Sequence, residues 1–301
     1  MQCKHLHTCT GHRAALYALT PGKDARHFYS AGGDGWLVEW SLDAPETGRV
    51  AATVETQVFS LASLPGKNDL LLAGNMNGGL HWIDLERPER TRNIQHHQKG
   101  VYALQIHKQW LFSAGGDGVL TRWALGEARS VESFQLANRA LRCLALSTER
   151  NELAAGASDG SIYLLDSETL TLKQRIAGAH DPSVFTVCFS PDGRFLLSGG
   201  RDAMLRVWDL EKNSALVSEQ PAHLFTINHV AYAPNGNFFA TASRDKTIKI
   251  WDAAGFKLLK VLEGVRDGGH FNSVNNLLWL SNEVLISCSD DRTAILWSVS
   301  A

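Results

Sequence analysis

Cysteine is scarce and scattered in this 301-residue chain, and neither sign of charge dominates it. The five cysteines, Cys3, Cys9, Cys143, Cys188 and Cys288, are odd in number and show no Cys-x-x-Cys spacing. That pattern argues against a disulfide framework and a cysteine-held zinc site, and it suits free thiols in a reducing compartment. Basic and acidic residues nearly cancel, 29 against 31, so the positive excess that a general phosphate-backbone binder needs is missing. No apolar run approaches the roughly 20 residues that span a bilayer. The N-terminal MQCKHLHTCTGH lacks the apolar core of a secretory signal. An apolar period of 3.6 is not sustained over any long stretch, which predicts almost no helix. These absences together predict a soluble, cytoplasmic protein without a membrane span.

What the chain has in abundance is repetition. YSAGGDGWLVEW, residues 29–40, and FSAGGDGVLTRW, residues 112–123, share eight of twelve letters. Taking the position six after each turn Asp or Asn gives the series Trp40, Ile83, Trp123, Leu165, Trp208, Trp251, Trp297. Its intervals are 43, 40, 42, 43, 43 and 46 residues, so seven units account for 1–301 as a single domain. Within a unit, short alternating runs such as SVFTVCFS, FLLSGG and MLRVWDL are separated by PDGR, RDA and EKNS. That is the signature of four strands joined by tight turns.

The dipeptides Gly11-His12, Gly269-His270, Trp208-Asp209 and Trp251-Asp252 stand near the start or end of their units. With the period above, they make the chain similar to the WD-repeat (WD40) family. The fifth and sixth units, AHDPSVFTVCFSPDGRFLLSGGRDAMLRVWD and AHLFTINHVAYAPNGNFFATASRDKTIKIWD, carry the resemblance most closely; the second and fourth carry it least. The resemblance implies an all-β fold, a seven-bladed β-propeller of four-stranded antiparallel blades. The seventh unit stops at its third strand, AILWSVSA, and the N-terminal segment has the pattern of an outermost strand. Residues near 2–9 are therefore expected to complete the last blade beside residues 292–299.

Ser, His and Asp recur together, which raises the question of a nucleophilic triad. Five units hold a full set with Trp: His12, Ser30, Asp34, Trp40; His97, Ser113, Asp117, Trp123; His180, Ser198, Asp202, Trp208; His223, Thr241, Asp245, Trp251; His270, Ser287, Asp291, Trp297. Physical chemistry favours a structural network over catalysis. A buried indole N–H needs an acceptor, a hydroxyl supplies it, and an imidazole can bridge that hydroxyl to the turn carboxylate. A half-satisfied buried network is worse than none, at about 1–3 kcal/mol per orphaned group, so the set should be lost as a whole. The second and fourth units, with Val54, Ala73, Asn77, Ile83 and Ala137, Ala155, Asp159, Leu165, fit that expectation. Asn77 and Asp159 are each followed by Gly and should still serve tight turns. Five equivalent nucleophiles in one chain make no enzymatic sense, so no catalytic residue is expected.

The resemblance implies docking on the face that carries the loops leading into the innermost strands and the tight hairpin turns. Two positions per unit should face it. One series reads Tyr17, Phe59, Tyr102, Arg142, Phe185, Asn228, Asn275, and the other Gly33, Met76, Gly116, Ser158, Arg201, Arg244, Asp290. Aromatic residues and Arg are enriched at binding hot spots. Tyr17, Phe59, Tyr102, Arg142, Phe185, Arg201 and Arg244 are accordingly the candidate partner-binding residues, read as an aromatic half-rim opposite a basic half-rim. The expected function is a non-enzymatic interaction scaffold, monomeric within a larger complex, that takes a protein or peptide with an acidic group and an apolar anchor. No cofactor or metal is expected, since neighbouring histidines such as His5, His7 and His96 have no third ligand at a plausible spacing. Two alternatives come from other classes: a propeller enzyme with a metal in the central channel, and a binder of single-stranded RNA or a nucleotide. The innermost strands offer no acidic cluster for the first, and the near-neutral charge counts against the second.

Overall fold

The structure, a computed structural model, describes residues 1–64 and 70–300. Its strands assemble into seven four-stranded antiparallel sheets. In the fifth, Val184–Phe189, Phe195–Gly200, Met204–Asp209 and Ala215–Pro221 run from the inside of the ring to the outside. Among the described residues the helical content is one four-residue turn, Gly264–Asp267, and two short 3-10 turns, Pro88–Arg90 and Leu210–Lys212. The innermost strands pack against one another in chain order, and Leu16–Pro21 of the first blade meets Val274–Trp279 of the last. The sheets therefore form a closed ring of seven blades around a channel.

Closure is also staggered along the chain. The N-terminal strand Gln2–Cys9 lies outermost in the seventh blade, antiparallel to Ala294–Ser300, with Gln2 opposite Ser300 and Cys9 opposite Ala294. The reason is visible in the register. The edge of Ala294–Ser300 would otherwise be a free template for pairing, and Gln2–Cys9 saturates it. A bulge between His5 and His7 bends the strand, and the His5 ring meets the edge of Trp297 at 5.8 Å.

Each blade alone is a sheet with two apolar faces, so the core forms between blades. The buried apolar residues fall into seven clusters, and each draws on two adjacent blades. At the seam between blades six and seven, Ile248 and Ile250 pack with Trp279 and Trp297. At the seam between two and three, Trp82 lies 5.3 Å from Trp123 and donates its indole N–H to the Leu125 carbonyl at 3.2 Å. Trp36 covers the seam between the last and first blades and carries the Arg13 guanidinium 4.6 Å over its ring. No helix is long and apolar enough to cross a membrane among the described residues.

Candidate functional site

The five His–Ser/Thr–Asp–Trp sets come together as hydrogen-bonded chains. In the first blade His12 Nε2 lies 2.8 Å from Ser30 Oγ, His12 Nδ1 lies 2.9 Å from Asp34, and the Trp40 indole donates to Ser30 Oγ at 2.8 Å. The fifth blade repeats this with His180, Ser198, Asp202 and Trp208 at 2.8, 2.9 and 2.9 Å. The sixth uses Thr241 in place of serine, with His223 at 2.7 Å and Trp251 at 2.9 Å. The third and seventh blades form the same chains through His97, Ser113, Asp117, Trp123 and through His270, Ser287, Asp291, Trp297. With a carboxylate on Nδ1, that nitrogen carries the proton. Nε2 then accepts from the hydroxyl, which in turn accepts the indole N–H.

The electrostatics match a buried structural chain. Burial alone would raise the Asp291 carboxyl, but hydrogen bonds from His270, Thr293 and the Phe271 N–H outweigh it and hold the group at about 2. Burial pushes His97, His180 and His223 below their ordinary value, despite the adjacent carboxylates. All five hydroxyls are sealed from solvent at 0 % exposure. A substrate carbonyl cannot reach an oxygen that is buried and already holds an indole and an imidazole.

Blades two and four depart from simple apolar replacement. Ala73, Ile83, Ala155 and Leu165 are buried as expected for lost network positions. Different polar sets have nevertheless taken over. In blade two the tight turn persists, with Gly78 at φ +91°, but the group that accepts its N–H bonds is Asn75, not Asn77. Asn75 Nδ2 lies 3.0 Å from His81, and His81 Nδ1 lies 2.7 Å from Asn93. In blade four the Tyr163 hydroxyl donates to Asp159 at 2.7 Å, and Arg175 donates to Asp159 and Ser161. His81 and Tyr163 share one slot, four residues after the turn residues Asn77 and Asp159. That spacing is the signal by which sequence reading could have found them.

The first series around the channel has a common backbone cause. In every blade the pairing between the two inner strands slips by one residue at the start of the innermost strand. The slips fall between Leu16 and Ala18, Val58 and Ser60, Val101 and Ala103, Leu141 and Cys143, Val184 and Thr186, Ile227 and His229, and Val274 and Asn276. The unpaired residue is Tyr17, Phe59, Tyr102, Arg142, Phe185, Asn228 or Asn275. A bulge re-aims the side chain of its extra residue, and all seven line one cavity of about 660 Å³ in the channel.

Their roles then split. Tyr17 and Phe59 meet at 5.4 Å between ring centroids, and Phe59 and Tyr102 at 5.4 Å. The Arg142 guanidinium continues the row, 4.9 Å over Tyr102 and 5.1 Å over Phe185. The division into an aromatic and a basic half-rim is therefore corrected: Arg142 belongs to the aromatic arc, captured by the rings on either side. Arg201 and Arg244 stand apart on exposed turns, with their backbone N–H groups bonded to the carbonyls of Ser183 and Thr226. The two asparagines are spent on the scaffold. Asn228 donates to Ser273 Oγ and the Val274 carbonyl, and Asn275 to the Leu16 carbonyl and Asp290. Deeper in the cavity, burial pushes His229 down to about 4, so its imidazole is neutral, and it pushes the Cys143 thiol up to about 12. Among the described residues, no three His, Cys, Asp or Glu side chains are grouped to hold a metal ion.

A further apolar patch lies on the same face. Leu224 and Phe225 lead into blade six at 84 % and 59 % exposure; Val265 and Phe271, on the loop into blade seven, reach 99 % and 70 %. Leu224 and Phe271 directly follow the network histidines, where Arg13, Gln98 and Asp181 stand in other blades. That substitution of apolar for polar was the available signal.

Comparison with known proteins agrees with this geometry. The family model described as "WD domain, G-beta repeat" matches residues 3–41, 171–209, 214–252 and 256–298, together more than half of the chain. The chain is 29 % identical over 154 residues to WD repeat-containing protein 90 of Homo sapiens, covering 48 % of this chain and 9 % of that protein. It is 28 % identical over 155 residues to the GATOR2 complex protein WDR24 of Danio rerio, covering 49 % of this chain and 20 % of that one. The chain thus spans a fifth or less of the length of these curated relatives. Among solved structures, the WD40 β-propeller domain of Doa1 superposes with a TM-score of 0.86 at 20 % identity, over 99 % of this chain and 97 % of that one, a likeness of fold.

Proposed function

We propose a function that proceeds from one premise: the chain belongs to the WD-repeat family of β-propellers. It serves as a non-catalytic platform, and a protein or peptide partner docks on the face that carries the channel mouth. The observation that carries this reading is the set of seven bulges. They turn one side chain per blade out of the sheet pairing and into a common cavity, and five of the seven present rings or a guanidinium. A row of touching rings beside a cation is hot-spot chemistry for an apolar anchor with an acidic neighbour. Arg201, Arg244 and the exposed Leu224, Phe225 and Phe271 extend the footprint outward. Similarity to a GATOR2 complex protein supports a place as a subunit of a larger assembly. Five unpaired thiols suit an intracellular, reducing location.

The test is affinity capture of tagged protein from its native cells, with captured partners quantified by mass spectrometry. Tyr17→Ala with Phe59→Ala should strip the main partner while thermal stability stays near wild type. Arg142, Arg201 and Arg244 changed together to Glu should do the same. An unchanged partner set in both folded variants overturns docking at this face.

A further inference from the structure

Among the described residues, Arg142 is the one cation held against two rings. Its guanidinium plane is held between two rings, 4.9 Å from the Tyr102 centroid and 5.1 Å from that of Phe185. Its Nε donates to Ser158 Oγ at 2.8 Å, and Ser158 sits at the turn of the same blade. The rings fix the plane and the serine fixes the rotation about it. A long, flexible side chain is thereby set in one orientation before any ligand arrives, which lowers the ordering cost of binding. The two terminal nitrogens have no acceptor among the described residues, and no described carboxylate pairs with Arg142. Neither terminal nitrogen is sealed from solvent, so an incoming acceptor can bond both.

The surroundings narrow what the acceptor can be. Arg142 is the one Lys or Arg among the described residues that line the cavity, and His229, the imidazole there, is neutral. A phosphate group, close to doubly charged, would be only half neutralised. A carboxylate matches the single positive charge, and its two oxygens match the spacing of the two terminal nitrogens. Phe59 and Tyr17 continue the row of rings away from the guanidinium, so an apolar side chain next to that carboxylate has a surface to lie on.

We propose that the channel mouth holds a carboxylate subsite, in which the Arg142 fork receives an Asp or Glu side chain of a bound peptide while the residue beside it packs on Phe59 and Tyr17. This rests on the docking reading above and adds the group that determines specificity. Ser158, Tyr102 and Phe185 are positioning residues, acting through the guanidinium.

A phage-displayed random dodecapeptide library tests it, selected in parallel on the wild-type protein and on R142Q. Wild type should enrich peptides with an acidic residue next to an aromatic or aliphatic one; R142Q should keep the apolar residue and lose the acidic preference. The leading peptide is then made synthetically with both termini blocked, which removes terminal carboxylates. Changing its Asp or Glu to the amide should weaken binding to wild type about 10- to 100-fold, as a charge-assisted paired contact does, and should leave R142Q binding unchanged. R142K keeps the charge without the fork and should recover only part of the loss. Thermal melting of each variant confirms that the ring is intact. Peptides that depend on Tyr17 and Phe59 but keep their acidic preference on R142Q overturn the carboxylate subsite alone. Failure of the library to yield any peptide that depends on Tyr17 or Phe59 overturns docking at the mouth, and the subsite with it.

Discussion

Blades five and four sit side by side, share one seam, and solve the same problem with different chemistry. Blade five buries Trp208 and satisfies its indole through Ser198, His180 and Asp202. Blade four fills the equivalent space with Ala155 and Leu165 and moves its polar bonds outward, to Tyr163, Arg175 and Asp159. The four-stranded frame and its turn are retained in both. The difference teaches that the polar chain is one way to tie down the turn and is not a requirement of the fold: Asp159 bonds to Tyr163 and Arg175 on the third and fourth strands, where Asp202 bonds to the histidine of the leading loop. In blade five the tie is internal and rigid, while in blade four the tie is half-exposed and depends on a salt bridge at 3.1 Å.

The strongest break in this comparison puts a blade-four residue into a stapled blade. Trp297→Leu should cost about 2–4 kcal/mol, as a cavity and the indole bond that Ser287 Oγ loses add to lost burial. Urea unfolding would measure it. Adding His270→Ala and Ser287→Ala should cost less than the three single losses combined, because the set acts as a unit. A fully additive triple variant would show that these residues are independent. Next in size, Ser198→Ala removes only the hydroxyl and should cost about 1–3 kcal/mol by stranding the Trp208 indole and the His180 ring.

Acid should separate the stapled blades from the others. His97, His180 and His223 have folded pKa values below the ordinary 6.5, so on acidification the unfolded chain takes up their protons first. Stability should therefore fall as pH drops below about 6.5. It should fall again below about 3.8, where the unfolded forms of Asp202, Asp245 and Asp291 protonate before the folded ones. Urea midpoints at pH 8, 6, 4.5 and 3 check this. Replacing His180, Ser198 and Trp208 with Ala, Ala and Leu should flatten the first slope, and an unaltered slope would place the titration elsewhere. In blade four, Tyr163→Phe should cost about 1 kcal/mol in thermal unfolding, the value of one hydrogen bond to a partly exposed carboxylate. The smallest effect lies in the turns. Gly160 carries a left-handed φ of +79°, and Lys246 holds the same turn position in blade six at φ +76°. Lys246→Gly should relieve that strain and gain about 0.5 kcal/mol, after the extra freedom glycine gives the unfolded chain.

The fold was legible because its determinants sit at fixed intervals. A Ser–Asp gap of four and an Asp–Trp gap of six recur wherever a blade is stapled, and the sum of the units fills the chain. The rim series was legible as positions, but its cause was not. A bulge is a property of two paired strands, and no single strand's letters announce it. Arg142 was grouped by residue type with Arg201 and Arg244, because linear order does not show that Tyr102 and Phe185 flank it across two seams. The bonds of His81 were invisible for a similar reason: Asn75 and Asn93 come from separate strands and match no recurring spacing.

The pairing of Gln2–Cys9 with Ala294–Ser300 also sets an order of events in time. Within the ring, the strand made first bonds to the strand made last, so it must wait unpaired while the six blades between them are synthesised. At about 5–20 residues per second, that wait is tens of seconds. Blades one to six can mature as they emerge, each hairpin by hairpin, but the ring is latched only once synthesis has passed Ser300. Nascent chains stalled short of residue 294 should therefore remain open arcs. Such arcs leave the apolar blade faces at the gap uncovered and Gln2–Cys9 unpaired, which makes the unclosed ring a natural client for chaperones.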